Sequence, residues 1–253
     1  MSSHTDPTAA VLLIGNEILS GQVQDKNLAH IALRLQDIGI MIGEARVVPD
    51  VEEMIIDALN TLRHRYTYVF TTGGIGPTHD DITARCVAKA FGQEFVRNAR
   101  AAELLSTNLS PNTNLEGRLR MAMMPKSARL LECQTTKAPG FAVENVYVMA
   151  GIPHIMHEML EAALPELTRG KKREAFHIYA RIPESRIAHD LEAIQNHFPM
   201  LEIGSYPKWD QEGPKGIELV IKGHDKKITQ QAAEKVIAML ASYGVEPQWG
   251  VKR

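Results

Sequence analysis

The chain has 253 residues, 44% hydrophobic and 23% charged, a composition that excludes a disordered or fibrous protein and leaves enough length for one large domain or two smaller ones. No apolar run approaches the roughly 20 residues that span a bilayer, and the opening MSSHTDPTAA has neither a basic nor an apolar leader region, so no membrane and no export are expected and the location reads as cytoplasmic. A formal charge of −2 gives no field to attract nucleic acid, and Cys86 and Cys133 are too few for a disulfide framework and in no zinc-type pairing.

AVLLIG (10–15) is an unbroken apolar run ended by glycine, the pattern of a strand buried on both faces. The spacing then predicts a helix from Asp25 to Ile38, with Leu28, Ile31, Ala32, Leu35 and Ile38 on one stripe and Gly39 as its stop. IMIGEARVVPD (40–50) reads as a second strand. Asp50 is placed to cap a helix whose inward face is Met54, Ile55, Ala58, Leu59 and Leu62. YTYVFTT (66–72) is a third strand, followed by a helix from Asp81 to Phe91 closed by Gly92. Asn98 to Met124 reads as helical, interrupted at Ser110, Pro111 and Asn112, with Met121, Met123 and Met124 as core or gap-filling residues. NVYVMAG (145–151) is a further strand leading to a helix near Pro153, where proline suits a first turn.

Composition shifts at TRGKKRE (168–174), a basic cluster that reads as a solvated joint. Beyond it come a strand (175–182), a helix (Glu184 to His197), two strands (200–206 and 216–223) and a helix from Asp225 to Tyr243. The expected fold is therefore α/β: a three-layer α/β/α domain with a mostly parallel sheet over residues 1–168, and a small α+β domain over 169–253. Ligands of such sheets sit at the carboxyl ends of the strands.

The strongest chemical signal is the third strand running into Gly73-Gly74-Ile75-Gly76-Pro77-Thr78-His79-Asp80-Asp81 and then a helix. Glycines let a chain bend sharply and bring amides to an anion without Cβ interference, and a helix N-terminus adds its positive dipole end. The loop has neither the Lys of a phosphate-binding P-loop nor the third glycine of a dinucleotide fingerprint. Asp80 and Asp81 would repel an anion unless a divalent cation lay between them, and hard oxygens suit magnesium or manganese. The plainer alternative is a tight turn with Thr78 and Asp81 as a capping box that serves only the helix. Gly15, Asn16, Glu17 and Gly21, with Asp25, Lys26 and Asn27, follow the first strand and open at the same sheet edge; such polar residues also populate ordinary loops. A third loop holds Lys137, Ala138, Pro139 and Gly140, and a fourth Met149, Ala150, Gly151, Ile152 and Pro153. His154, His157 and Glu158 have one-turn spacing, but a solvated helix face outweighs a metal site there because no distant third ligand is evident.

Taken in order, Gly15-Asn16-Glu17-Ile18-Leu19 with Gly21 and Asn27, then Thr72-Gly73-Gly74-Ile75-Gly76-Pro77-Thr78 with Asp80, Asp81 and Thr83, then Ala138-Pro139-Gly140-Phe141 and Gly151-Ile152-Pro153, resemble the molybdopterin-binding (MoaB/Mog) family. The branch it resembles most is the amino-terminal domain of the competence/damage-inducible CinA proteins, and IGSYPK (203–208) resembles their second domain; no counterpart of the amidase domain that many of them carry is expected in the 253 residues. The resemblance implies a pocket for a phosphorylated pterin or nucleotide, with Asp81 as the metal-linked aspartate. In the molybdenum-cofactor branch the implied activity is adenylylation of molybdopterin; in the CinA-like branch it is metal-dependent hydrolysis of a nucleotide pyrophosphate such as ADP-ribose.

Two departures bear on the substrate. Cys133-Gln134-Thr135-Thr136-Lys137 replaces the usual Asn-x-x-Gly-Thr, and the segment from Met149 to Met156 lacks a carboxylate at Ile155. The working expectation is a metal-dependent nucleotide pyrophosphatase. In it Asp80 and Asp81 hold the cation, Lys137 neutralises developing charge, and Gly15, Asn16, Glu17, Asn27, Thr72, Gly73, Gly74, Gly76, Thr78, Pro139, Gly140 and Gly151 surround the ligand. Pterin binding or adenylylation, and a non-catalytic binding module, are the alternatives. The expected partner is the small molecule itself, in a homo-oligomer favoured by exposed tail strands and family habit.

Overall fold

The computed structural model describes residues 6–107, 114–211 and 213–249, so the interruption expected at Ser110 to Asn112 lies outside the described residues. The chain forms two compact units, Met1–Gly170 and Lys171–Arg253. In the first, β1 (Thr8–Ile14) leads through a four-residue helix α1 (Asn16–Leu19) to α2 (Asn27–Asp37), β2 (Met41–Val48), α3 (Glu52–Arg65), β3 (Tyr68–Thr72) and α4 (Thr83–Ala90). Then come β4 (Phe95–Arg97), α5 (Ala99–Leu105), α6 (Leu115–Leu119), a 3-10 turn (Arg120–Ala122), β5 (Met123–Pro125), β6 (Arg129–Leu131), β7 (Gly140–Val143), β8 (Val146–Met149) and α7 (Pro153–Ala163).

The main sheet runs β2-β1-β3-β8-β7-β6. β2, β1, β3 and β8 are mutually parallel, as the crossover helices require; β7 pairs antiparallel with β8 through a tight return, and β6 pairs antiparallel with β7. β1 alternates its side chains between two cores. Ala10, Leu12 and Ile14 pack with Ile55, Leu59 and Leu62 of α3 and with Cys86 and Val87 of α4. Ala9, Val11 and Leu13 pack with Ile31 and Leu35 of α2 and with Met156, Met159 and Leu160 of α7. A strand apolar on both faces is thus what a three-layer α/β/α fold demands of its central position.

Four local expectations are corrected. Asp50 makes no cap: α3 starts after Val51 without a side-chain partner, and the Asp50 carboxylate accepts from the Asn16 amide at 2.9 Å instead. Met54 is 49% exposed, because it lies about 100° round the helix from Ile55, at the margin of the buried stripe. α4 begins at Thr83, two residues later than Asp81. Met123 and Met124 are not helical but pair with β4 in a two-stranded ribbon; Met124 is buried in the core.

In the second unit, β9 (Glu174–Ala180), α8 (Glu184–His197), β10 (Glu202–Asp210), β11 (Gly213–Gly223), α9 (Lys226–Ser242) and β12 (Gln248–Trp249) form an antiparallel sheet ordered β10-β11-β9-β12 with two helices. Ile178, Leu219 and Ile221 of the sheet pack on Ile187 of α8 and on Val236 and Leu240 of α9. Asp225 caps α9 by accepting from the amides of Lys227 and Ile228. Among the described residues no helix is long and apolar enough to cross a membrane.

Candidate functional site

β1, β3 and β8 end side by side at Ile14, Thr72 and Met149, so the loops that follow them meet at one edge of the sheet. Two glycines make that meeting possible. Gly73 has φ 103, and a Cβ there would lie 2.1 Å from the Ile14 carbonyl oxygen; Gly74 has φ 67, and its Cβ would lie 2.2 Å from the Thr83 hydroxyl. The bend is then fastened: the Gly73 amide donates to the Met149 carbonyl at 3.1 Å. The Thr83 hydroxyl and amide donate to the carbonyls of Gly73 and Gly74, both at 3.0 Å. Thr72 and Thr83 are themselves fully buried beneath the bend.

Over this edge opens a cleft of about 550 Å³, within the usual range of small-molecule sites. Its floor is the turn Gly73 to Pro77 with Asp81, and its other contributors are Glu17, Arg118, Pro139 and Gly151. Met121, Ile152, Ile155 and Met159 supply an apolar wall. The amides of Gly74, Ile75 and Gly76 donate to no acceptor among the described residues, although all three residues line the cleft. Three consecutive open amides are a cradle for an anion.

Asp81 turns its carboxylate back over Gly76 and accepts from the Thr78 amide at 2.8 Å. The Thr78 hydroxyl sits 2.5 Å from Asp81 Oδ2 and 2.6 Å from Asp80 Oδ1. One hydroxyl carries one proton, so two carboxylate oxygens share a single donor. The Thr78 hydroxyl holds the Asp80 carboxyl below its usual range, aided by its backbone and His79. Asp80 is exposed and outside the cleft lining, whereas Asp81 is in it. Thr78 and Asp81 do bond each other as the capping alternative foresaw, but the pair stands ahead of α4 rather than in its first turn.

The remaining expected residues divide. Asn27 is buried; its Nδ2 donates to the Gly151 carbonyl at 2.8 Å, fastening the fourth loop to α2, and its Oδ1 has no partner. Gly15 and Asn16 stand behind Glu17, bonded to the Val48 carbonyl and to Asp50, and do not line the cleft. Gly140 is buried at the start of β7. Lys137 lies outside the lining, left-handed at φ 59, with Nζ donating to Gln134 at 2.8 Å. Glu158 is occupied in holding this loop: it accepts from Thr135 Oγ1, the amides of Gln134 and Thr135, and Cys133 Sγ, which bring its pKa down to about 2. His157 stacks on His30 of α2 with ring centroids 3.5 Å apart. Among the described residues no group of three or more His, Cys, Asp or Glu is placed to hold a metal on its own.

Arg118 was not foreseen. An arginine in a short polar helix reads as solvated, and its approach to the cleft depends on the Thr136 carbonyl, to which Nη2 donates from 18 residues away. A larger cleft, about 650 Å³, opens in the second unit beside Trp209.

Residues 10–169 match the family described as "Probable molybdopterin binding domain", and residues 175–248 match "FAD synthase, middle domain". A protein of Archaeoglobus fulgidus is 31% identical over 230 residues, covering 91% of this chain and 96% of that one. A CinA-like protein of Citrifermentans bemidjiense is 34% identical over 92% of this chain, which spans only 58% of that relative's length. The solved structure of CinA from Thermoplasma acidophilum, 31% identical, superposes with a TM-score of 0.57 over 63% of this chain and 98% of its own. The resemblance carried by the four loops is thereby borne out, and the chain belongs to the probable molybdopterin binding domain family.

Proposed function

We propose that the cleft binds a phosphorylated heteroaromatic molecule and hydrolyses the phosphoanhydride of an adenine nucleotide such as ADP-ribose with the help of a divalent cation. The observation that carries this reading is the run of open amides from Gly74 to Gly76 directly under the Asp81 carboxylate. The amides take a phosphate, and the apolar wall from Met121 to Met159 takes a flat ring. Closeness of a carboxylate to an anion cradle is unfavourable unless positive charge enters with the ligand.

The acidic residues fit such a charge. Two carboxylate oxygens crowd one Thr78 proton, and Asp80 and Asp81 together offer the hard oxygens that magnesium or manganese takes alongside water and substrate phosphate. When bound, the ion supplies charge neutralisation at the phosphate and an acidified water. The protein's own part is to hold the anhydride against fixed amides that need no reorganisation as charge develops, and to present Asp81 beside it.

Incubation with ADP-ribose or FAD and magnesium, manganese or cobalt, followed by chromatography for AMP, tests the proposal. AMP is expected with at least one metal, falling about a hundredfold or more in Asp81→Ala; no AMP with any metal refutes hydrolysis. The family match over residues 10–169 favours a second reading, binding or adenylylation of molybdopterin. A fluorescent pterin then copurifies or titrates into the cleft, and a clean failure to bind counts against it.

A further inference from the structure

We infer that Arg118 is the phosphate-recognising side chain of this cleft, so that the ligand is selected as a phosphate ester or anhydride over the same ring system without phosphate. Among the cleft-lining residues Arg118 is the only arginine or lysine, against the acids Glu17 and Asp81. Its guanidinium has five N–H donors in a planar fork, yet among the described residues it donates to the Thr136 carbonyl alone, and the buried Nε meets no acceptor. No carboxylate among the described residues pairs with it. Arg34, Arg46, Arg100 and Arg129 of the same unit each hold a glutamate instead, and none of them lines the cleft.

A half-buried cation with an unsatisfied fork is unfavourable until an anion meets it, and phosphate matches that fork in a bidentate pair. The Thr136 carbonyl keeps the arginine at the cleft, and Thr136 belongs to the loop that Glu158 braces. The ligand's phosphate is therefore held from two sides, by the amides of Gly74 to Gly76 and by Arg118, with its ring on the apolar wall.

The inference rests on the ligand class proposed above and is separable from catalysis. Calorimetric titration of the full chain with AMP and with adenosine, in magnesium buffer where AMP offers no anhydride to hydrolyse, reads it directly. The wild type is expected to bind AMP at least about tenfold more tightly than adenosine. Arg118→Gln is expected to bring the two affinities together while leaving adenosine binding unchanged, and Arg118→Lys to restore part of the difference, since an ammonium gives charge without the fork. Thermal melts of both variants within a few degrees of wild type show that the fold persists. An unchanged preference for AMP in a folded Arg118→Gln protein, no preference in the wild type, or no binding of either compound overturns the inference. Arg118-dependent AMP binding without hydrolysis of ADP-ribose overturns only the catalytic reading.

Discussion

Replacing Thr83 with valine removes one hydroxyl from a position with no solvent exposure and leaves the side chain's volume nearly unchanged. That hydroxyl donates at 3.0 Å to the carbonyl of Gly73, whose backbone passes close against the end of β1. Valine leaves the carbonyl without this donor, a loss of about 1–3 kcal/mol. At roughly 2–4 °C per kcal/mol for a unit of this size, the melting temperature of the first unit falls by about 2–12 °C. The consequence for function is larger than for stability, because the same bond sets the direction of the Gly74 to Gly76 amides. Thr83→Ser loses one methyl, about 1 kcal/mol, and keeps the bond. Differential scanning calorimetry with AMP titration separates the two: the valine protein loses AMP affinity and the serine protein retains it. Equal AMP affinity in the two variants would refute the claim that Thr83 orients the cradle.

Two further outcomes follow from titrating groups. The pKa of Glu158 is lowered from the ordinary 4.5 to about 2 by Thr135, Cys133 and Gln134, so its contribution is complete above 4.5 and is lost as pH falls from there towards 2. Glu158→Gln flattens that acid limb in melts recorded across the range, and a limb of unchanged slope contradicts the assignment. His30 also costs stability on acidification, in a higher range: burial first, then the charges of His157 and Arg34, lower its pKa from 6.5, only partly opposed by Glu161. The fold thus prefers the neutral ring, and stability is full above 6.5 and declines as pH drops below it, since the unfolded chain takes up the proton first. His30→Gln weakens the decline just below pH 6.5, measured by chemical denaturation at successive pH values; an identical decline refutes the role.

The parts of the molecule written in long periodic segments were legible in the sequence. β1 announced itself by five apolar residues and a glycine, and α2, α8 and α9 matched their expected bounds within a few residues at either end. β4 to β7 were not legible, because strands of three or four residues are too short to display a period of two and owe their pairing to neighbours already in place. Met124 illustrates the point: its helix-like spacing gave way to a strand that pairs with Val96 and buries the side chain.

The site divides along the same line. The glycine turn and Asp81 were visible because a backbone that bends back on itself restricts which residues can occupy it. Arg118 was invisible because nothing local distinguishes it; its character comes from a carbonyl in another loop and from the lack of a carboxylate partner among the described residues. Lys137 shows the converse, a cation of suitable charge in a suitable loop whose Nζ is bonded to Gln134 outside the cleft lining. Glu158 appeared in sequence as part of a histidine-flanked surface, whereas in the fold it organises residues 133–135.

A crystal soaked with ADP-ribose and manganese, with anomalous data collected at the metal edge, tests the central claim most directly. The expected map has a phosphate of the ligand against the amides of Gly74 to Gly76 and near Arg118, and an anomalous peak coordinated by Asp81. Ligand density elsewhere on the chain, or a metal peak remote from Asp81 with the cleft holding only water, would contradict it.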